Sequence, residues 1–226
     1  MILVLASQHD EAARGFTDRL SAGRAVMMTC QDFLTEGWRF YPDSPHESVA
    51  VAGGNKIRRE AISGVLTLRP CVLEQELTPV DPLDRHYVCA EINAFLIAWL
   101  SSLSCPVLNR PTTTSLSGPN WRPERWLAEA AKLGIPVEPR TRSVPLKLQN
   151  EPIETLEEPV QHVPVIGGRA RAGAEPELAL FAERLARQAQ VEWLEARFRS
   201  GRMIWAGCWP DLTRAEVADA VMEYFA

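Results

Sequence analysis

The sequence predicts an α/β protein whose N-terminal part is an open, Rossmann-like parallel sheet. Residues 2–6 form a continuous apolar run, which is typical of a strand buried on both faces. Residues 9–21 place apolar side chains at helical spacing and are followed by Gly23, a residue that commonly ends helices. Residues 25–29 form a second apolar run. The chain therefore opens with a strand, a helix and a strand, the usual start of a parallel sheet.

The same patterns predict the other elements of this N-terminal part. Residues 83–103 form the strongest predicted helix, because apolar side chains recur there in a wide stripe at helical spacing. The remaining elements are a strand at 48–52 with a turn at Gly53, Gly54 and Asn55, an apolar run at 62–68, a strand at 105–108, and a helix at 124–133 with Pro123 in its first turn.

The C-terminal part alternates short strands with helices, which predicts a small α+β unit. Thr213 and Glu216 have the spacing of a capping box, so we expect Thr213 to begin the last helix. The predicted elements are a strand at 163–166 with a turn at Gly167 and Gly168, a helix at 175–190, a hairpin of strands 192–198 and 202–205 around Ser200 and Gly201, and a helix at 213–225.

A proline- and glutamate-rich segment divides the chain. Prolines recur between residues 139 and 164 together with several glutamates, a composition typical of a linker or an irregular crossover. We therefore predict three parts: a sheet domain at 1–139, a linker at 140–162, and a C-terminal subdomain at 163–226.

Composition and charge exclude several function classes. The formal net charge of −5 argues against a nucleic-acid partner, which usually requires a basic face. The longest apolar run, residues 94–100, is far too short to span a membrane, and no signal peptide is visible. The five cysteines contain no CxxC pair, so a structural zinc site is not expected. We expect a cytoplasmic protein with reduced thiols.

Two isolated features have weak functional signals. The glycine turn at 53–55 lacks the spacing of a phosphate-binding loop and is predicted to be an ordinary turn. The four histidines are scattered, which predicts no metal site. His9 alone follows a predicted strand at the edge where open α/β sheets bind ligands, so it is a candidate ligand contact. The alternative is an ordinary helix start.

The strongest candidate site is the loop that follows the predicted strand at 105–108. Ligands of open parallel sheets bind at the carboxyl ends of the strands, and a loop rich in hydroxyl, amide and guanidinium groups suits a polar or anionic ligand there. A structural loop that caps the next helix is the open alternative. The candidate residues are Asn109, Arg110, Thr112, Thr113, Ser117, Asn120 and Trp121.

Several separated motifs resemble the N-terminal domain of ATP-grasp proteins, in the branch related to glutathione synthetase and to enzymes that modify ribosomal peptides. The motifs occur in the family's order and cover roughly residues 1–139. They are GVLTLRP at 64–70, AEIN at 90–93, CPVLNRP at 105–111, SGPNW at 117–121 and LGIP at 133–136. The resemblance implies a ligand-facing position for the 109–121 loop.

The C-terminal part resembles the end of the same fold, in VPVIGGRA at 163–170 and in the predicted hairpin at 192–212. Family enzymes hold magnesium there with an acidic residue and a Glu-x-Asn motif. The resemblance places Ala206 and Cys208 at the motif positions, and neither side chain is a hard oxygen ligand. The preceding acidic position falls near Glu192 or Glu195.

The segment between Pro139 and Val163 is short where the family places most of its nucleotide-binding lobe, and Lys147 is its one lysine. The resemblance therefore implies a degenerate relative with no catalytic residue, no metal ligand, and neither ATP nor Mg²⁺ as cofactor. We expect it to bind a peptide or another protein, such as a ligase or tailoring enzyme, with homo- and hetero-oligomers both open. Trp193, Trp205 and Trp209 suit a partner surface, since aromatic residues are enriched at interfaces; a core role is the alternative.

Two other functions remain open. An ATP-dependent carboxylate–amine ligase would persist if a second chain supplied the missing lobe. A small-molecule or peptide-binding module would instead use the loop from Asn109 to Trp121, with Arg110 as an essential contact.

Overall fold

The computed structural model describes residues 1–20, 23–139, 159–171 and 173–226. The helices in these ranges are α1 Glu11–Arg19, α2 Cys30–Phe33, α3 Arg85–Ser102, α4 Pro123–Lys132, α5 Pro176–Ala189 and α6 Ala215–Tyr224. The strands are β1 Ile2–Leu5, β2 Ala25–Met28, β3 Val49–Ala52, β4 Asn55–Arg58, β5 Gly64–Thr67, β6 Val107–Leu108, β7 Gln161–Ile166, β8 Arg169–Ala170, β9 Trp193–Arg199 and β10 Arg202–Gly207.

The strands form two four-stranded sheets and one hairpin. The first sheet has the order β2-β1-β5-β6, and every neighbouring pair is parallel, as predicted. The second sheet has the order β10-β9-β7-β8 and is antiparallel throughout. Strands β3 and β4 form a separate hairpin around Gly53 and Gly54, both with positive φ. The predicted α/β class is confirmed.

Strand β1 explains why the chain begins with an unbroken apolar run. Ile2 and Val4 pack into one buried cluster, whereas Leu3 and Leu5 pack into another on the opposite face of the sheet. Successive side chains of a strand point to opposite faces, so a strand covered on both sides must be apolar at every position. The cluster on the Leu3 face contains α3, and the cluster on the Ile2 face extends to the second sheet.

Two predicted boundaries change in the structure. Helix α1 begins after Asp10, whose carboxylate accepts a hydrogen bond from the backbone N–H of Ala13. The capping box predicted at Thr213 is wrong: helix α6 begins after Arg214, and the Thr213 N–H and hydroxyl both bond to the Asp211 carboxylate. The Thr213 hydroxyl is therefore bonded within a local turn before the helix and does not cap it.

The proposed linker is only partly described. Residues 140–158 lie outside the described residues, and β7 begins at Gln161, two residues earlier than the predicted strand. The three-part division therefore stays a prediction. None of the helices in the described ranges is both long enough and apolar enough to cross a membrane.

Candidate functional site

A small cavity lies where the 109–121 loop and helix α4 meet the end of strand β10. Its volume is about 160 Å³, and four tryptophans contribute to its wall. The residues around it are Ser117, Pro119, Asn120, Trp121, Pro123, Trp126, Trp205, Ala206, Gly207, Cys208 and Trp209. The structure thus brings three predicted loop residues together with two of the predicted partner-surface tryptophans, although about 90 residues separate them in the sequence.

The first half of the loop has a structural role. Asn109 is 2% exposed, and its amide bonds at both ends to the backbone of Trp193: Nδ2 donates to the carbonyl at 2.9 Å, and Oδ1 accepts from the N–H at 2.7 Å. These bonds join the end of β6 to the start of β9, and hence the two sheets. The Arg110 guanidinium donates to the carbonyls of Leu103 and Cys105, both at 3.1 Å, and so ties down the turn after α3.

Gly118 lets the second half of the loop approach the cavity. Its φ is +87°, and an added Cβ would lie 2.9 Å from the Cβ of Asn109. A side chain there would strain the backbone and collide with a residue that is itself fixed. The N–H of Leu116 also donates to the carbonyl of Pro70 at 2.7 Å, which anchors this segment to the first sheet.

Beyond Gly118 the loop presents groups that remain free to meet a ligand. Asn120 is exposed at the cavity, and its side-chain amide has no hydrogen-bond partner among the described residues. Trp121 lies against Trp126, with ring centroids 4.6 Å apart, and the Arg125 guanidinium lies 4.3 Å above the Trp121 ring. Nothing in the sequence singled out Trp126 as part of a site, because it falls on the apolar side of a predicted helix.

A β-bulge in β10 sets the position of Trp205. Met203 pairs with Phe198, but Trp205 pairs with Arg197, so the register shifts by one residue between them. Cross-strand partners share a face, and the shift therefore moves Trp205 off the face of Met203. The Arg197 guanidinium lies 4.4 Å above the Trp205 ring, and that ring covers Gly207, where a Cβ would come within 2.6 Å of it.

The three predicted partner-surface tryptophans have different environments. Trp209 is 46% exposed and Trp205 is half-buried, and both line the cavity. Trp193 is 1% exposed and belongs to the core, so its prediction as a surface residue is wrong. Strand β9 is covered on both sides at this point, which a tryptophan in a short strand pattern does not reveal.

The positions that the sequence resemblance aligns with the ATP-grasp Glu-x-Asn motif do not suit magnesium. Ala206 and Cys208 are 1% and 6% exposed, and burial raises the pKa of the Cys208 thiol to about 12. The thiol is therefore neutral at physiological pH, and magnesium prefers oxygen ligands in any case. Within the ranges that the structure describes, no three His, Cys, Asp or Glu side chains are grouped to hold a metal ion.

The neighbouring acidic position is also committed elsewhere. Glu195 is 1% exposed. Its Oε1 accepts a hydrogen bond from Nε of Arg197 at 2.8 Å and also lies 2.8 Å from Nδ1 of His162. Glu195 pairs with Gly207 across the strands, whereas Ala206 pairs with Ala196, so Glu195 and Ala206 face opposite sides of the sheet. The Arg197 guanidinium thus balances the charge of this carboxylate, and the His162 imidazole lies beside it. Glu192, the other candidate, is exposed.

The remaining predicted contacts lie away from the cavity wall. His9 is exposed after β1, with Nε2 3.0 Å from Nε2 of Gln8. Thr112 forms a short bridge with Ser115, and Thr113 is exposed at the tip of the loop between them. Of the eight predicted ligand contacts, only Ser117, Asn120 and Trp121 line the cavity.

Comparison with known proteins identifies the architecture. No family model matches the sequence, and no curated protein does either. Among solved structures, the ATP-grasp ligase PsnB, complexed with a phosphomimetic variant of its minimal precursor, Mg and ADP, has a TM-score of 0.67 at 15% identity, over 100% of this chain and 98% of that one. The chain has an ATP-grasp-like fold.

Two further solved structures with this fold contain bound peptides. The macrocyclase MdnC from Microcystis aeruginosa MRC, bound to its precursor peptide MdnA, has a TM-score of 0.64 at 11% identity, over 98% of both chains. A RiPP-associated ATP-grasp ligase from Chryseobacterium gregarium, in complex with ADP and a leader and core peptide, has a TM-score of 0.61 at 11% identity, over 98% of this chain and 95% of that one. The TM-scores establish the ATP-grasp-like architecture, and at such low identities they establish nothing about the chemistry of this chain.

Proposed function

We propose that this ATP-grasp-like protein has no ligase activity and binds a peptide, or a peptide segment of a partner protein, as an accessory component of peptide modification. The observation that supports the proposal is the tryptophan-lined cavity, whose wall includes Ala206 and Cys208, the two residues that the sequence resemblance aligns with the family's magnesium motif. Solved neighbours of the same fold include ligases in complex with precursor peptides, which supports a peptide as the ligand.

The size of the cavity limits what it binds. Sites for small molecules usually enclose about 300–1,000 Å³, whereas this one encloses about 160 Å³. An engineered apolar cavity of about 150 Å³ binds benzene. The cavity therefore suits one aromatic side chain, and it is too small for a nucleotide.

The chemistry around the cavity suits a peptide carrying such a side chain. Trp121, Trp126, Trp205 and Trp209 offer ring contacts, which favour offset or edge-to-face packing with another aromatic ring. The free Asn120 amide at the rim has both donors and acceptors, so it can pair with a peptide group beside the buried side chain. Binding hot spots are enriched in aromatic residues that fill desolvated pockets, and the rims of interfaces are polar.

The proposal is tested with N-acetyl-phenylalaninamide as the probe and with the indole N–H resonances of the full chain as the readout. The chain has seven tryptophans, which single Trp→Phe variants assign. We expect saturable shifts of the Trp121, Trp126, Trp205 and Trp209 signals, and no shift with N-acetyl-alaninamide. Equal responses to both probes, or none to either, would contradict the proposal.

Variants at the mouth of the cavity provide the matched control. Trp209 is exposed enough to be replaced without disturbing the core. We expect Trp209→Ala to weaken probe binding by about tenfold and Trp209→Phe to retain most of it. Tyr87→Ala, which removes an exposed aromatic side chain on α3, should leave binding unchanged.

A further inference from the structure

A second concave surface lies on the first sheet domain, between the segment after α2 and helix α3. It encloses about 410 Å³, within the range of ligand sites. We call it the acidic groove, and it is lined by Phe33, Thr35, Glu36, Gly37, Trp38, Glu91, Ile92 and Phe95. It shares no residue with the tryptophan-lined cavity.

The walls of the acidic groove are aromatic and held in place. Trp38 packs against Phe95 edge to face, with ring centroids 5.3 Å apart, and against Phe33 at 6.2 Å. The Trp38 indole N–H donates to the carbonyl of Asp32 at 2.8 Å, so its polar edge is already satisfied. The surface that faces the groove consists of apolar ring and aliphatic atoms, and the side chains that carry these atoms are half-buried.

The rim of the acidic groove carries two carboxylates that form no ion pair with a described residue. Glu36 and Glu91 are both exposed, and neither carboxylate makes a hydrogen bond or an ion pair with a described residue. The lining contains no lysine, arginine or histidine. Lys56, whose side chain passes behind Gly37, forms no ion pair with either carboxylate.

We propose that the acidic groove docks a lysine or arginine side chain of a partner protein. A cation is attracted to the negative face of an aromatic ring, and the aliphatic stem of either side chain packs on the apolar wall. The two carboxylates then meet the charged end. An anion would meet two like charges, and a purely apolar group would desolvate both carboxylates without pairing them.

The probes are N-acetyl-lysinamide and N-acetyl-argininamide, titrated into the full chain while the Trp38 indole N–H resonance is followed. We expect a saturable shift of Trp38 that weakens at high salt, and no shift of Trp121 or Trp209. N-acetyl-norleucinamide has nearly the same stem without the charge and should bind at least about fivefold more weakly.

The double variant Glu36→Gln and Glu91→Gln should reduce affinity for both cationic probes about tenfold, with an unchanged thermal unfolding midpoint because both residues are exposed. The double variant Glu177→Gln and Glu192→Gln removes the same number of charges at exposed positions outside the groove lining, and it is the control for net charge. Equal binding of the norleucine probe, full binding by the double variant, or a Trp38 shift that depends on protein concentration alone would each overturn the proposal. The last result would identify a second copy of the chain as the occupant. None of these outcomes bears on the tryptophan-lined cavity.

Discussion

The two halves of the 109–121 loop each contain an asparagine, and the two asparagines have different environments. Asn109 and Arg110 direct their side chains onto backbone groups of β9 and of the turn after α3, whereas Asn120 and Trp121 lie at the cavity with the Asn120 amide free among described residues. Two asparagines eleven residues apart therefore have different roles. What separates them is burial and the partner available, which depend on the second sheet and not on the loop's own sequence.

The largest expected difference between the halves is in stability. Asn109→Ala leaves the buried N–H and carbonyl of Trp193 without partners, and each such group costs about 1–3 kcal/mol. We expect a loss of about 2–4 kcal/mol in the free energy of unfolding, measured by urea denaturation. Asn120→Ala should change it by less than about 0.5 kcal/mol. Similar values for the two variants would remove the distinction.

The burial of the Cys208 thiol in the cavity wall is tested by the pH dependence of the free energy of unfolding. The thiol has a pKa of about 12 in the folded chain and 9.0 as its ordinary value, so the folded state keeps its proton where the unfolded state loses it. This stabilisation is complete below pH 9 and is lost as the pH rises toward 12. Relative to Cys208→Ala, the wild-type chain should lose about 2 kcal/mol between about pH 8 and pH 10.5. Parallel curves for the two proteins would show that the thiol is not buried.

The smallest expected effect belongs to Arg110, which the sequence placed among the ligand contacts. Its two hydrogen bonds are partly exposed to solvent, so Arg110→Ala should cost only about 0.5–1 kcal/mol of stability. Binding of N-acetyl-phenylalaninamide should stay within about twofold of wild type. Loss of probe binding in a folded variant would support the module that uses the whole loop.

Local patterns predict much of this fold. The apolar run of β1, the helical stripe of α3 and the proline at the start of α4 each follow from neighbouring residues, and the structure contains each element close to its predicted bounds. The parallel pairing of β1 with β2 follows from the predicted strand–helix–strand opening of the chain. The capping box at Thr213 fails because Asp211, two residues earlier, binds the same hydroxyl.

The site is predicted only in part, because it depends on long-range contacts. Asn109 and Trp193 are 84 residues apart, and no local pattern shows that they meet. The β-bulge that turns Trp205 away from the face of Met203 is equally invisible in the alternation of residues. The acidic groove combines a loop and a helix about fifty residues apart, and each part alone is typical of ordinary core packing.

If the place that the sequence resemblance aligns with the magnesium motif is a side-chain cavity, as we propose, the chain does not bind a magnesium nucleotide. The most direct test is calorimetric titration of the full chain with ADP in the presence of Mg²⁺. We predict no saturable heat at nucleotide concentrations up to about 1 mM. Saturable, magnesium-dependent binding with a micromolar Kd would contradict this account and support the hypothesis of an ATP-dependent ligase.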